Sequence, residues 1–472
     1  MITFFSDKSS KLPMYEQLYQ FIKQDIESGK IKNKEKMPSK RMLATHLKVS
    51  VATIENAYSK LVSEGYLVSH EKSGYYVENA PFPKLNNGFQ NNIEIIDDFY
   101  EEYYRYDFRT NAIDPELFPY SVWSKLARNV LQDHSHDLLT SRHPKGLKQL
   151  RNAIAVYLYR FRGITAQPEQ IIISSGADTI YHQIIQILGK DVVYATENPG
   201  YQKINQLLEA NDCTTRHIIL DPSGISASDL NKSDASIVHV SPSHHYPTGI
   251  MMTIKRKIEL LEWANKENNR YIIEDDYDSE FSGGSIPVPA LQSLDHHEKV
   301  IYMNTFSKVI APSLRIGYFV LPRHLLTKYQ AMKAFNTCTV PNFEQFILTK
   351  FLSEGYFESH LNRLRSAYRK RKEELINQLV TQGVVSKNQI FNSDSGLHFV
   401  VQIDTTLSEK QLVDRAKENS IYLYGLHEFF YGNYPKIPAV IVFGYSSIRP
   451  EKIKPAVDAL REAWNITIPP SL

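Results

Sequence analysis

Two cysteines, Cys213 and Cys338, are all that this 472-residue chain contains. So few exclude a disulfide framework and fit a reducing compartment, with one long-range pair the most that could form. No window holds the uninterrupted apolar run that a bilayer span requires. The first residues, MITFFSDKSSKL, lack a basic segment followed by an apolar one, so no signal peptide is read. A cytoplasmic protein with no membrane partner is the resulting expectation. Net charge is scarce as well: 54 basic residues against 52 acidic ones leave +2, which singles out no class of partner. Internal repeats are absent. The composition is that of an ordinary globular protein, and the length favours two to three domains.

The charge is unevenly spread. Between Lys30 and Lys48 stand seven basic residues and a single acid, Glu35, whereas residues 97–102 read DDFYEE. This asymmetry predicts a small basic module joined to a larger body. After Pro13, apolar Leu18, Phe21, Ile22 and Ile26 mark a helical stripe. Ser39 is placed to cap a second helix carrying Leu43, Ala44 and Leu47, and Ser50 a third carrying Ile54, Ala57, Tyr58 and Leu61. EGYLVSHEKSGYYVEN then reads as a hairpin. Helix, helix–turn–helix and a two-stranded wing form a DNA-binding arrangement, with the helix after Ser50 in the major groove. Candidate DNA contacts are Ser39, Lys40 and Arg41 at one helix start, Ser50, Thr53 and Asn56 on the next helix, and Lys72 and Tyr75 on the wing. A helical protein–protein module with a solvated basic face is the blander reading.

PMYEQ at 13–17, MPSKRMLA at 37–44, LKVSVATIENAYSKL at 47–61 and EGYL with SGYYV at 64–77 resemble the winged helix–turn–helix of the GntR family of bacterial repressors. That family usually has arginine after the serine opening the recognition helix. Val51 stands there instead, so base readout is expected to rest more on Arg41 and Asn56. Residues 79–106, rich in Pro, Asn and Gly with an acidic aromatic tail, read as a linker between domains 1–78 and 107–472.

In the larger domain short apolar runs alternate with helical stretches. QIIISSGA (170–177), DVVYATENPG (191–200), SIVHVSPSHH (236–245), RYIIEDDYDSEF (270–281), KVIYMNTFSK (299–308) and YFVLP (318–322) are the clearest runs. Alternation predicts an α/β fold with a mostly parallel sheet covered by helices on both faces. Function in such sheets sits where loops leave the carboxyl ends of strands. At those ends stand Ser175, Gly176 and Ala177, small enough to bring backbone N–H groups near a phosphate. Tyr201 offers a flat face for stacking. Asp275 and Asp276 close a buried strand, and a carboxylate there requires a positive partner such as a protonated pyridine nitrogen; Tyr277 follows. Lys308 can form an imine with an aldehyde cofactor, and Thr305, Ser307 and Arg315 can hold a phosphate. Singly each feature is weak. In this order they describe a pyridoxal 5'-phosphate site.

FRTNAIDPELFPYSVW, HPKGLKQLRNAIA, ENPGYQ, VSPSHHYPTG, IIEDDYDSEF and NTFSKVIAPSLRIGY resemble a fold-type-I aminotransferase, and with the N-terminal module the chain resembles the MocR/GabR subfamily of GntR regulators. The resemblance implies pyridoxal phosphate held on Lys308 as an aldimine, Asp275 at the ring nitrogen, Tyr277 at the ring hydroxyl and Tyr201 on the ring face. It also implies a head-to-tail homodimer and operator DNA as a partner.

A catalyst also needs a clamp for the substrate carboxylate, usually a bidentate arginine near the C-terminus. That position falls at Val442, and no arginine follows before Arg449. The two effector arginines of the γ-aminobutyrate-responsive members correspond to Lys203 and Glu428, a poorer clamp and a repelling charge. The expectation is a sensor of pyridoxal phosphate that controls vitamin B6 genes. Rivals are an aminotransferase with a DNA-binding arm, or a sensor of another amine held by Lys203 and His427. His244 and His245 border the cofactor. The pairs 244–245 and 296–297 and the HSH at 134–136 are read as loop histidines, with no metal site.

Overall fold

The computed structural model describes residues 2, 4, 12–71, 73–78, 104–110, 113–140, 143–281, 289–333, 337–434 and 437–466. The chain divides into two compact units, Met1–Glu101 and Glu102–Leu472. Most of the expected linker, 79–103, lies outside the described residues, as does Lys72 on the wing. Among the described residues no helix is long and apolar enough to cross a membrane.

In the first unit α1 (Met14–Glu27), α2 (Lys40–Leu47) and α3 (Val51–Ser63) precede β1 (Leu67–His70) and β2 (Gly74–Val77). The apolar stripes converge: Leu18, Ile22, Leu43, Ile54, Ala57, Tyr58 and Leu61 are buried together. Lys48 ends α2 in the left-handed region, φ +55°, which turns the chain sharply into α3. The strands pair antiparallel with Leu67 opposite Val77. This is the three-helix module with a wing that the spacing predicts.

The second unit begins with the short β3 (Tyr106–Asp107), which pairs in parallel with Ile421–Tyr422. Its main sheet contains β4 (Ile171–Ser174), β5 (Val193–Asn198), β6 (Thr214–Ile219), β7 (Ile237–Val240), β8 (Tyr271–Asp275), β9 (Val300–Thr305) and β10 (Gly317–Val320). The order is β4-β10-β9-β8-β7-β5-β6. Every pairing is parallel except those of β10, which runs against both neighbours. β4, β7 and β10 are buried at every residue, as strands covered on both faces must be. Helices such as Lys148–Arg162, Ala177–Leu188 and Ile254–Asn265 supply the cover. Register does the positioning: Asp275 at the end of β8 sits beside Met303 of β9. The carboxylate therefore lies next to the strand that leads into Lys308. A second, antiparallel sheet joins Ile390–Phe391, His398–Gln402, Val440–Gly444 and Tyr424–Gly425.

Candidate functional site

In the N-terminal unit, Ser39 Oγ accepts the N–H of Met42 at 3.3 Å and Ser50 Oγ that of Thr53 at 3.1 Å. Both serines therefore cap their helices. Arg41 and Asn56 are exposed, and Thr53 is half-buried. Lys40 Nζ lies 2.6 Å from Glu55 Oε1, so this basic residue already has an acidic partner that spacing does not reveal. Tyr75 packs edge-on against Tyr58, 5.1 Å between centroids, anchoring the wing to the core.

In the large unit the strand ends surround a cleft of about 270 Å³ lined by Thr110, Ala177, Asp178, Tyr201, Lys203, Ser241, Tyr246, Asp275, Tyr277, Thr305, Ser307, Lys308 and Arg315. Lys308 is deeply placed, and its amine donates to the carbonyl of Thr110. Burial lowers its pKa to about 8, with Asp278 acting in the opposite sense. A sizeable neutral fraction near physiological pH is what imine chemistry needs.

The two adjacent carboxylates have separate fates. Asp275 faces the cleft, with Tyr181 Oη at 3.4 Å and His239 Nε2 at 3.7 Å. Asp276 is 1% exposed and bonds Arg162 Nε at 2.7 Å and Tyr302 Oη at 2.6 Å. Alternation along an extended chain sends the neighbours to opposite faces, so only Asp275 can meet a ligand in the cleft. Glu197, also buried, accepts the N–H of Ser241 at 3.0 Å. Burial raises its pKa to about 8, and Asp275 adds to the effect.

Tyr277 Oη lies 3.2 Å from His244 Nδ1, which is 2.9 Å from Asp278 Oδ2. His398 completes this buried cluster, its potential ligand atom within 4.8 Å of those of His244 and Asp278. His244 is therefore not a plain loop histidine. Its Nδ1 is engaged by Asp278, and His398 Nε2 lies 3.0 Å from the carbonyl of Pro247, so the cluster stands as a hydrogen-bonded support beneath Tyr277. His244 reaches the cleft only through that tyrosine.

At the opposite end Gly176 adopts φ +83°, and a Cβ there would lie 2.8 Å from the Arg315 guanidinium. Only glycine permits this approach. Ser175 is less available than the SGA pattern implies, for its N–H donates to Thr339 Oγ1 at 3.0 Å. Arg315 Nη2 and Lys203 Nζ both bind Asp178, at 3.1 and 2.6 Å. The side chains thus fit pyridoxal phosphate: an amine and a ring-nitrogen carboxylate at one end, paired cations and a glycine cradle at the other.

His427 and Glu428 are not with Lys203. They line a separate hollow bounded by Gln402–Gln411 and Ile437–Ala439. His427 Nδ1 bonds Glu409 at 2.7 Å, and Glu428 accepts the N–H of Gly425 at 2.9 Å. A motif alignment cannot tell which face of a short turn its residues occupy. Val442 is fully buried in an apolar cluster with Tyr246, Val400, Leu426, Phe429 and Val440, against which Tyr201 and Tyr277 pack. Hydrocarbon thus fills the expected position of a carboxylate clamp. Thr110, Asp178, Glu197, His239 and Asp278 are site residues that the motifs missed. Asp178 directly follows Ser-Gly-Ala and was within reach of a first-turn argument; Thr110, 198 positions from Lys308, gave no local signal.

The model of the bacterial regulatory proteins of the gntR family matches residues 14–77, and that of aminotransferase class I and II matches 111–460. The chain is 35% identical to the HTH-type transcriptional regulator YdeL of Bacillus subtilis, over 98% of this chain and 100% of that one. It is 27% identical to the pyridoxine biosynthesis transcriptional regulator PdxR of Corynebacterium glutamicum, over 84% of this chain and 86% of that one. Its fold matches kynurenine aminotransferase of Pyrococcus horikoshii, with TM-score 0.67 and 22% identity over 76% of this chain and 90% of that one. Helix–turn–helix module and aminotransferase-like domain together place the chain in the MocR subfamily of GntR-type transcriptional regulators.

Proposed function

We propose that this regulator binds pyridoxal 5'-phosphate in the cleft and that the bound ligand changes how the protein engages operator DNA. The observation that carries the reading is the contrast between the cleft and the apolar cluster packed against its Tyr201 and Tyr277. The amine, carboxylate, tyrosines and cations for the cofactor are assembled, while the clamp position is Val442 in an apolar cluster. When bound, the cofactor would supply an aldehyde for covalent attachment and an electron-withdrawing ring. Lys308 is the attachment point, Asp275 the partner of the ring nitrogen and Tyr277, braced by His244, the partner of the ring hydroxyl. Tyr201 covers the ring, and Arg315 with Ser307, Thr305 and the Gly176–Ala177 backbone takes the phosphate.

The regulated genes are assigned to vitamin B6 synthesis or salvage. PdxR, whose name ties it to pyridoxine biosynthesis, supports this, as does a site without a clamp for another substrate. The protein acts as a head-to-tail homodimer and reads DNA through Arg41, Asn56 and the starts of α2 and α3. A ligand alters DNA binding only by preferring one conformation. The test is a titration of the chain's own upstream region with and without pyridoxal phosphate, and with a panel of amino acids added to the loaded protein. A shift in affinity or complex geometry with the cofactor, and no conversion of its absorbance band by amino acids, is the expected result. Unchanged DNA binding, or rapid band conversion, would refute the reading.

A further inference from the structure

Asp178 is the second residue of the helix Ala177–Leu188, whose start is the natural seat for a phosphate. Yet the residue placed there is itself an anion. Its Oδ1 holds Lys203 Nζ at 2.6 Å and its Oδ2 holds Arg315 Nη2 at 3.1 Å. Those are the two cations of that end of the cleft. The Arg315 guanidinium lies against the Cβ-free face of Gly176, in contact with the backbone that a phosphate would approach. The carboxylate therefore engages the cations that the phosphate needs.

We propose that Asp178 is an internal competitor for the ligand's phosphate, one that sets the affinity for pyridoxal phosphate low enough for reversible sensing. The inference rests on the reading of the cleft as a pyridoxal phosphate receptor. Three features make the competition displaceable rather than fatal. The ion pairs are shallow, with Asp178 38%, Lys203 43% and Arg315 50% exposed, so each is weak and screened by salt. Both cations belong to flexible side chains that can turn from carboxylate to phosphate. Two cations against one carboxylate leave this end with a net positive charge, so a phosphate is still attracted, but less than by an uncompensated pair. Lys203 thereby changes role. It is a phosphate-end cation exchanged between Asp178 and ligand, rather than a clamp for an effector carboxylate.

Asp178→Asn keeps the side chain's size and removes the competing charge, and Asp178→Ser removes the charge in a smaller residue. Because the position is half-buried and its ion pairs are weak, both variants should stay folded and melt close to the wild type. Direct binding titrations should show pyridoxal phosphate bound about tenfold tighter by either variant at low salt, with the gain shrinking at high salt. Inorganic phosphate should become a stronger competitor in both variants, while affinity for pyridoxal, which lacks the phosphate, should not change. Equal or weaker binding of pyridoxal phosphate by the variants, or an equal gain for pyridoxal, would overturn the competitor role and leave the receptor reading standing. A wild-type protein that takes up no pyridoxal phosphate would instead remove the receptor reading, and this role with it.

Discussion

The cleft and the apolar cluster packed against its tyrosines were built by different rules. The polar wall of the cleft converges on one ligand: Asp275 and Tyr277 come from the end of β8, and Lys308 and Arg315 from the connection between β9 and β10. The cluster packed against Tyr201 and Tyr277, to which the C-terminal sheet contributes Val400, Val440 and Val442, is hydrocarbon and aromatic rings. An aminotransferase needs chemistry on both sides, because the substrate must be gripped while it reacts. Here the cofactor groups line the cleft, while the clamp position lies in packed hydrocarbon. The difference is what the proposed sensor requires, a cofactor end kept without a substrate clamp.

The largest effect that would probe this contrast is the loss of the polar wall's covalent anchor. Lys308→Ala should reduce borohydride-trapped cofactor from about one per chain to none by mass spectrometry, since no other cleft side chain offers an amine so placed. Next comes an attempt to restore a clamp in the apolar cluster. Val442→Arg should destabilise the protein by about 3–5 kcal/mol in denaturant melts, because the guanidinium would be buried without a partner. It should yield no transamination. A tolerated Val442→Arg that also converts amino acids would show that one side chain alone separates this site from a catalytic one.

Two smaller effects sharpen the polar wall. With the Lys308 amine lowered to about 8 by burial, attachment of pyridoxal phosphate should speed up about tenfold per pH unit below that value and level off above it. An ordinary lysine would keep gaining to beyond pH 10. Stopped-flow absorbance across pH 6–10 distinguishes the two profiles. Asp275→Asn should weaken cofactor binding by about tenfold, as expected for removing the counter-charge of a protonated ring nitrogen. The same change at Asp276 should leave cofactor affinity nearly intact and appear instead as lost stability, because its partner Arg162 is buried.

Much of this was legible in the sequence, for definite reasons. Ser39 and Ser50 were readable as caps because capping is local, and the strand-end motifs because buried parallel strands appear as apolar runs. What failed was whatever depends on facing or distance. Asp275 and Asp276 could not be assigned to opposite faces by chemistry alone. Glu428 aligned with an effector position and His427 was read as a contact for an amine, but both line another hollow. Asp178 and Glu55 hold cations that the charge pattern alone leaves unpaired. His244 looked like one of several loop histidines until Asp278 and His398, far apart in the chain, were folded against it.

On the proposed reading, filling the cleft is the signal. The most direct measurement compares operator-binding isotherms of the wild type and Lys308→Ala, each with and without pyridoxal phosphate. The account predicts a displaced isotherm, or a changed complex geometry, for the wild type alone. Isotherms and complexes that ignore the cofactor in both proteins would contradict it.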